Sequence, residues 1–213
     1  MRGRTLLAFF LTMAVFIWLT GCVKLDKSYP DKHYYALDIT RPRSDVGPQV
    51  GPVLMVRNIT VSPRYDAKNF VYRQVDLSYQ SDFYNEFFLS PGMMVTEVIR
   101  NWMTAGGLFQ NVVDTPSYVS PNYVLEGAVN SLYGDYRNRQ TPQAVLEMQF
   151  FLVQSLDGKT PIIFQKQYRQ TVALANDSPQ ALARGWNDGL TRILTELEQD
   201  MKHKLLSTPH VKN

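Results

Sequence analysis

From residue 34 onward, apolar and polar positions alternate with a period of two, and twice the spacing switches to that of a helix. "YYALDIT" is a short alternating run, closed by a Pro/Gly-rich loop from Arg41 to Pro52. "VLMVRNITV" places Val53, Met55, Ile59 and Val61 on one face, with Arg57 interrupting it. "FVYRQVDLSY" reads as a further strand with Val71, Val75, Leu77 and Tyr79 together and Arg73 among them, and "YNEFFLS" follows. Alternation of this kind predicts a sheet with one face covered.

The first change of period comes at Ser90-Pro91, where an N-cap residue precedes a proline whose missing N–H costs nothing at the first helical position. Val95, Val98, Ile99, Trp102 and Met103 recur at helical spacing, and Gly106-Gly107 ends the stripe. Ser178-Pro179 repeats the device. Leu182, Trp186, Leu190, Ile193, Leu197, Met201 and Leu205 then form a second stripe, with Lys202, His203 and Lys204 in the last turn, where positive charge complements the helix dipole.

Between the helices a long hairpin is predicted, from Tyr123 to Tyr136 and from Ala144 to Gln154. Its second arm carries Ala144, Leu146, Met148, Phe150 and Leu152 on one face. Asp157-Gly158 is a turn signal leading to a last strand, Ile162 to Leu174. The fold class expected is an α/β (α+β) sandwich: a mixed, mostly antiparallel sheet with two helices packed on one face.

The segment before this pattern is of another kind. Arg2 and Arg4 precede a run from Leu6 to Leu19 that is apolar except for Thr12, the length of a secretory h-region. A spanning helix needs about 20 apolar residues, and this run falls short. Leu19-Thr20-Gly21-Cys22 resembles the bacterial lipobox and holds the chain's one cysteine. Residues 1–21 are therefore expected to be a lipoprotein signal peptide, with Cys22 acylated and 22–33 a polar tether. Residues 34–206 are the folded domain and 207–213 a tail. Acylation leaves no free thiol to mispair in an oxidising compartment. Val23 follows the cysteine where Asp would favour inner-membrane retention in bacterial lipoproteins, so the periplasmic face of the outer membrane is expected rather than the inner membrane.

Cleavage after Gly21 removes two arginines and leaves 20 basic against 19 acidic residues, a formal charge of +1 in place of +3. Such a balance argues against nucleic acid as a partner. The 192 remaining residues suffice for one sizeable core.

Candidate chemistry is sparse. The three histidines, His33, His203 and His210, fall in the tether and towards the C-terminus, and the chain has no G-x-S-x-G, P-loop or G-x-G-x-x-G. Asp82 with Glu86, and Glu126 with Glu147, are the carboxylates that could form acid–base pairs; solvated strand and loop faces are the simpler reading. No catalytic residue, metal ligand or cofactor is expected. Arg73 beside Tyr72 reads as either an ion-pair member, with Asp76 for instance, or a partner contact. Tyr133, Tyr136, Arg137 and Arg139 give the hairpin tip the Tyr/Arg composition that binding hot spots favour, with an ordinary polar loop as the alternative. These six residues, Tyr72 and Arg73 included, are the candidate partner surface.

The stretch "ITVSPRYDAKNFVYRQVDLSYQSDFYNEFFLSPGMMVTEVIRNW", Ile59 to Trp102, together with "YYAL" and the lipobox, resembles the ABC-type transport auxiliary lipoproteins, the PqiC-like family. The resemblance implies a non-enzymatic periplasmic lipoprotein serving an ABC transporter with an MCE-type partner that moves lipids or other hydrophobic molecules between the membranes. It also implies a small sheet with two helices, similar to the N-terminal domain of TolB. The competing reading is a structural lipoprotein that helps assemble another envelope complex. Self-association is left open.

Overall fold

The computed structural model describes residues 31–41, 51–115, 117–155 and 158–207. The expectations for the signal peptide, Cys22, most of the tether, the middle of the Arg41–Pro52 loop and the tail beyond Ser207 lie outside the described residues. Among those described, the elements in chain order are β1 (His33–Tyr35), β2 (Val53–Val56), β3 (Thr60–Val61), β4 (Asn69–Val75), β5 (Ser78–Phe87), α1 (Pro91–Gly106), β6 (Asn111–Val113), β7 (Tyr123–Asp135), β8 (Gln143–Gln154), β9 (Ile162–Ala173) and α2 (Pro179–Ser207).

β7 organises the sheet. Along one edge it pairs with β8 for its whole length, and β8 pairs in turn with β9, both ladders antiparallel. Along its other edge it takes three short parallel partners in succession: β2 opposite Tyr123–Leu125, β3 opposite Ala128–Val129 and β4 opposite Gly134–Asp135. β6 extends the sheet beyond β2 in parallel. β5 folds back antiparallel on β4, and β1 lies parallel to β5 at the outside. The nine strands form one open mixed sheet. The antiparallel ladders are long and the parallel ones short. The expected α+β sandwich is the observed fold.

Both helices bury their stripes. Val95, Ile99 and Met103 of α1, and Leu182, Trp186, Leu190, Ile193, Leu197 and Met201 of α2, are fully buried. They pack on Ala144, Leu146, Met148, Phe150 and Leu152 of β8 and on Leu125, Val129 and Leu132 of β7. Trp186 sits among aromatic rings, its centroid 4.8 Å from Phe70 and 5.2 Å from Phe87. Gly107 closes α1 at φ 68°, a left-handed conformation that glycine adopts without steric cost. Ser178 caps α2 with its hydroxyl, which accepts the Ala181 N–H at 3.2 Å. Ser90 does not: its side chain makes no cap bond, and its carbonyl alone accepts the N–H groups of Met93 and Met94.

Three strand expectations need correction. In β2 the buried side chains are Leu54 and Val56, not Val53 and Met55. "VLMV" is apolar at every position, so it carries no parity signal. In β4 the buried parity is Phe70 and Tyr72, which leaves Val71 half-buried and Val75 exposed. The run from Phe70 to Tyr79 is two strands joined by a tight turn at Asp76-Leu77. Leu77 turns at φ 62°, in the left-handed region, with no glycine or Asn-Gly to announce it.

Candidate functional site

β4 and β7 end side by side, Tyr72 opposite Gly134 and Arg73 opposite Asp135, and the Tyr136 N–H continues the ladder to the Arg73 carbonyl at 2.9 Å. All six sequence-nominated residues therefore gather at one end of the sheet. They divide by depth.

The three tyrosines are buried. Tyr72 and Tyr136 stack with centroids 5.1 Å apart on the helix side. Tyr133 lies on the opposite face, stacked on Tyr65 at 6.0 Å and met edge-on by Tyr79 at 5.7 Å. Their polar ends find distant partners. The Tyr72 hydroxyl donates to Asp82 Oδ2 at 2.7 Å, and the Tyr136 hydroxyl to the Asp177 carbonyl at 3.3 Å. Burial, reinforced by the Asp82 carboxylate, raises the Tyr72 phenol above its ordinary value, and burial followed by Asp177 does the same to Tyr136. These rings shape the rim from within.

The arginines form the rim itself. Arg137 grips Asp135, with Nη2 2.8 Å from Oδ2 and Nε 3.0 Å from Oδ1, and reaches Asp76 Oδ1 at 3.0 Å. The Arg137 guanidinium holds the Asp135 carboxyl below its usual value. Arg73 also meets Asp76, at 3.2 Å, and lies 5.8 Å from the centre of the Tyr79 ring. The ion pair weighed from sequence is present, and Arg73 stands on the β4 face opposite the helices rather than within the buried stripe. Arg139 is exposed in the hairpin tip and makes no ion pair among the described residues.

Two features of the rim escaped the sequence pattern. Leu77 is 92 % exposed at the strained turn next to Asp76, and Val75 beside it is 59 % exposed. The chain thus presents a bare apolar tip against an arginine pair. An open cavity of about 400 Å³ lies alongside, with Tyr72 and Tyr136 lining it beneath Arg139, Asp82 and Asp177.

The carboxylate pairs considered for acid–base work are each committed elsewhere. Asp82 accepts from Tyr72, from Asn85 Nδ2 at 2.9 Å and from the N–H groups of Tyr84 and Asn85. Burial alone would raise its pKa, but those four donors outweigh it and hold the carboxyl below its ordinary value. Glu86 pairs with Lys32, Glu126 with Arg57 and Glu147 with Arg169. Glu126 faces Phe151 and Glu147 faces Ser131 in the β7–β8 ladder, so those two never meet. Among the described residues no cluster of three or more His, Cys, Asp or Glu side chains converges on one point, and no helix is long and apolar enough to cross a membrane.

Against known proteins, the sequence model of the family described as ABC-type transport auxiliary lipoprotein component matches residues 35–198. Curated proteins yield no match. A Xanthomonas campestris protein of the DUF330 family superposes with a TM-score of 0.69 at 18% identity, over 81% of this chain and 95% of its own. A second solved structure, of an uncharacterised protein, superposes with a TM-score of 0.56 at 17% identity, over 78% and 99%. Both share the fold.

Proposed function

The chain belongs to the ABC-type transport auxiliary lipoprotein family, and from that premise we propose that it is a non-enzymatic accessory of an MCE-type lipid transporter. Membrane anchorage in the cell envelope follows from the family. The proposal adds that Cys22 carries the lipid, that the anchor is in the outer membrane, and that the cargo is a lipid or another hydrophobic compound passing between the membranes. The observation that carries this reading is the match itself, which spans the domain from β1 to the last third of α2.

The site supports a role by contact. Its carboxylates, the exposed Asp76 among them, are tied up in structural pairs, and Arg137, Arg139, Val75 and Leu77 are exposed beside it. Large contact area with directed donors is what protein interfaces select. Tyr72, Tyr133 and Tyr136 hold this surface in shape from below, and Arg73 and Arg137 fix it through Asp76. The partner surface is accordingly the β4–β5 turn together with the β7–β8 tip.

Crosslinking intact cells and purifying the full-length protein tests the proposal. A permease, an ATPase and an MCE-domain protein should co-purify. Recovery of an unrelated envelope complex in their place would refute it. Cys22→Ala should remain an unprocessed precursor that no longer labels with palmitate; normal labelling would show that the anchor lies elsewhere.

A further inference from the structure

At the outside of the sheet, β1, the second half of β5 and the residue after it carry aromatic side chains that the fold does not cover. Tyr34 is 57 % exposed, Phe83 65 % and Phe88 62 %, and Tyr84 stands partly exposed beside them. They form a ridge of two ring pairs. Tyr34 meets Phe88 edge-on at 6.4 Å, Phe83 meets Tyr84 at 5.2 Å, and Lys32 Nζ lies 4.7 Å above the Phe83 ring. The other aromatic residues of this edge, Tyr35 and Phe87, turn inward onto Phe70.

We propose that this ridge seats in the interfacial layer of the bilayer that anchors the chain, so that the domain rests on the membrane with its β1–β5 edge down. The inference rests on the Cys22 anchor proposed above. Position argues for lipid as the occupant. The chain enters the fold at Lys32 and His33, inside the ridge, only ten residues after Cys22. Ten residues span at most ~35 Å when extended. The ridge is thus the folded surface held nearest the headgroups.

Chemistry agrees with position. Tyr and Phe rings with a flanking Lys are the residues that settle at a membrane–water interface, apolar body inward and polar end in the headgroups. A few half-covered rings bind lipid weakly when free in solution. Tethering makes the encounter intramolecular, so weak seating becomes the resting state.

Fluorescence quenching in the full-length lipidated protein decides the matter. Phe83→Trp reports from the ridge, and Ile162→Trp reports from β9, at the opposite edge and also exposed. Each is reconstituted into phosphatidylethanolamine/phosphatidylglycerol vesicles with and without brominated acyl chains, and the signal of the buried Trp102 and Trp186 is subtracted. The docked domain should show a blue shift and loss of emission for Phe83→Trp in brominated vesicles, with Ile162→Trp unchanged. Equal response at the two positions would overturn the docking. A Phe83→Trp signal shielded from aqueous acrylamide but untouched by brominated lipid would overturn it too, and would show a second copy of the chain covering the ridge. Palmitate labelling of the same preparation keeps the two readings apart. Labelled protein without ridge quenching refutes only the docking, and unlabelled protein refutes the anchor.

Discussion

Trp102 of α1 donates its indole N–H to Glu198 of α2 at 3.0 Å, and the same carboxylate receives Arg41 at 2.8 Å. One acidic side chain thus joins the two helices to the segment that follows β1. The Arg41 guanidinium also lies 5.6 Å from the Trp102 ring, closing a three-residue cluster. Glu198→Ala leaves a buried indole donor and a partly buried arginine without their partner. The expected cost is about 2–3 kcal/mol, read from denaturant unfolding, against less than half of that for Glu198→Gln, which keeps an acceptor.

Trp102 and Trp186 should both prove structural, but unequally. Trp186 is fully buried against Phe70 and Phe87, and its N–H has no acceptor among the described residues. Trp186→Ala removes only packing and should cost ~3–5 kcal/mol. Trp186→Phe should recover much of that, whereas Trp102→Phe still loses the Glu198 bond. Thermal melts of the three single variants distinguish these cases; equal melts for Trp186→Ala and wild type would refute the packing.

Alanine is usually the better helix former than glycine by ~1 kcal/mol. At Gly185, inside α2, the sign should reverse. An added Cβ would stand 2.5 Å from Leu174 Cδ2 and 2.7 Å from Ala144 Cβ, because the helix lies this close to the sheet. Gly185→Ala should therefore destabilise by ~1–3 kcal/mol. A melting temperature at or above wild type would show that the strand end yields.

Leu77 presents the opposite case. A left-handed φ costs an L-residue roughly 1–2 kcal/mol, and glycine relieves it. Leu77→Gly should raise stability by about 1 kcal/mol while removing the most exposed apolar group of the rim. If the rim is the partner surface, the more stable variant co-purifies less, as does Arg137→Ala/Arg139→Ala. Undiminished co-purification in both would place the partner elsewhere.

Stability should be lost at both ends of the pH scale. Asp82, Asp135 and Asp200 have folded pKa values below their ordinary ones, so the unfolded chain takes up protons first as pH falls. Their contribution is complete above the unfolded value near 3.9 and is lost as pH drops through the folded values. Buried Tyr72, Tyr136 and Tyr168 have raised values, and Tyr65 is pushed up to about 12. Their contribution is complete below about 10 and is lost as pH climbs towards the folded values. Tyr72→Phe should soften both limbs, since it removes the Asp82 donor and one raised phenol. Melting temperature against pH for wild type and variant measures the difference.

How far the sequence reveals this molecule depends on which interactions carry the information. The helices are local objects, and their stripes, proline starts and the Gly107 stop can be read from consecutive residues. So can the middle of β8, where Glu147 and Gln149 alternate with Leu146, Met148 and Phe150. β2 and β4 cannot be read this way. Their buried parity is set by β7, which pairs with them from more than sixty residues away, and "VLMV" offers either face equally. The tyrosines of the rim show the same limit at the site. Tyr72 and Tyr136 each carry a polar end that composition assigns to a surface, while the acceptor, Asp82 or the Asp177 carbonyl, is brought in only by the fold. The aromatic ridge is visible in the letters of β1 and β5 but becomes a patch only when those strands lie together.

The three short partners of β7 have one more consequence, in the order of events during folding. β2, β3 and β4 all precede β7 in the chain, and none pairs with another of the three. Until residues 123–135 arrive, the first half of the domain can close only two separate groups, β1–β5–β4 and β2–β6, with β3 unpaired. Contacts so distant in sequence make a domain slow to fold. A chain that crosses a membrane from its N-terminus would therefore emerge as two unjoined groups of strands, and would commit to its native form only after β7 had followed. Under the proposed Cys22 anchor, that delay keeps the polypeptide threadable through the step at which it must be unfolded, and leaves its first hundred residues in need of protection meanwhile.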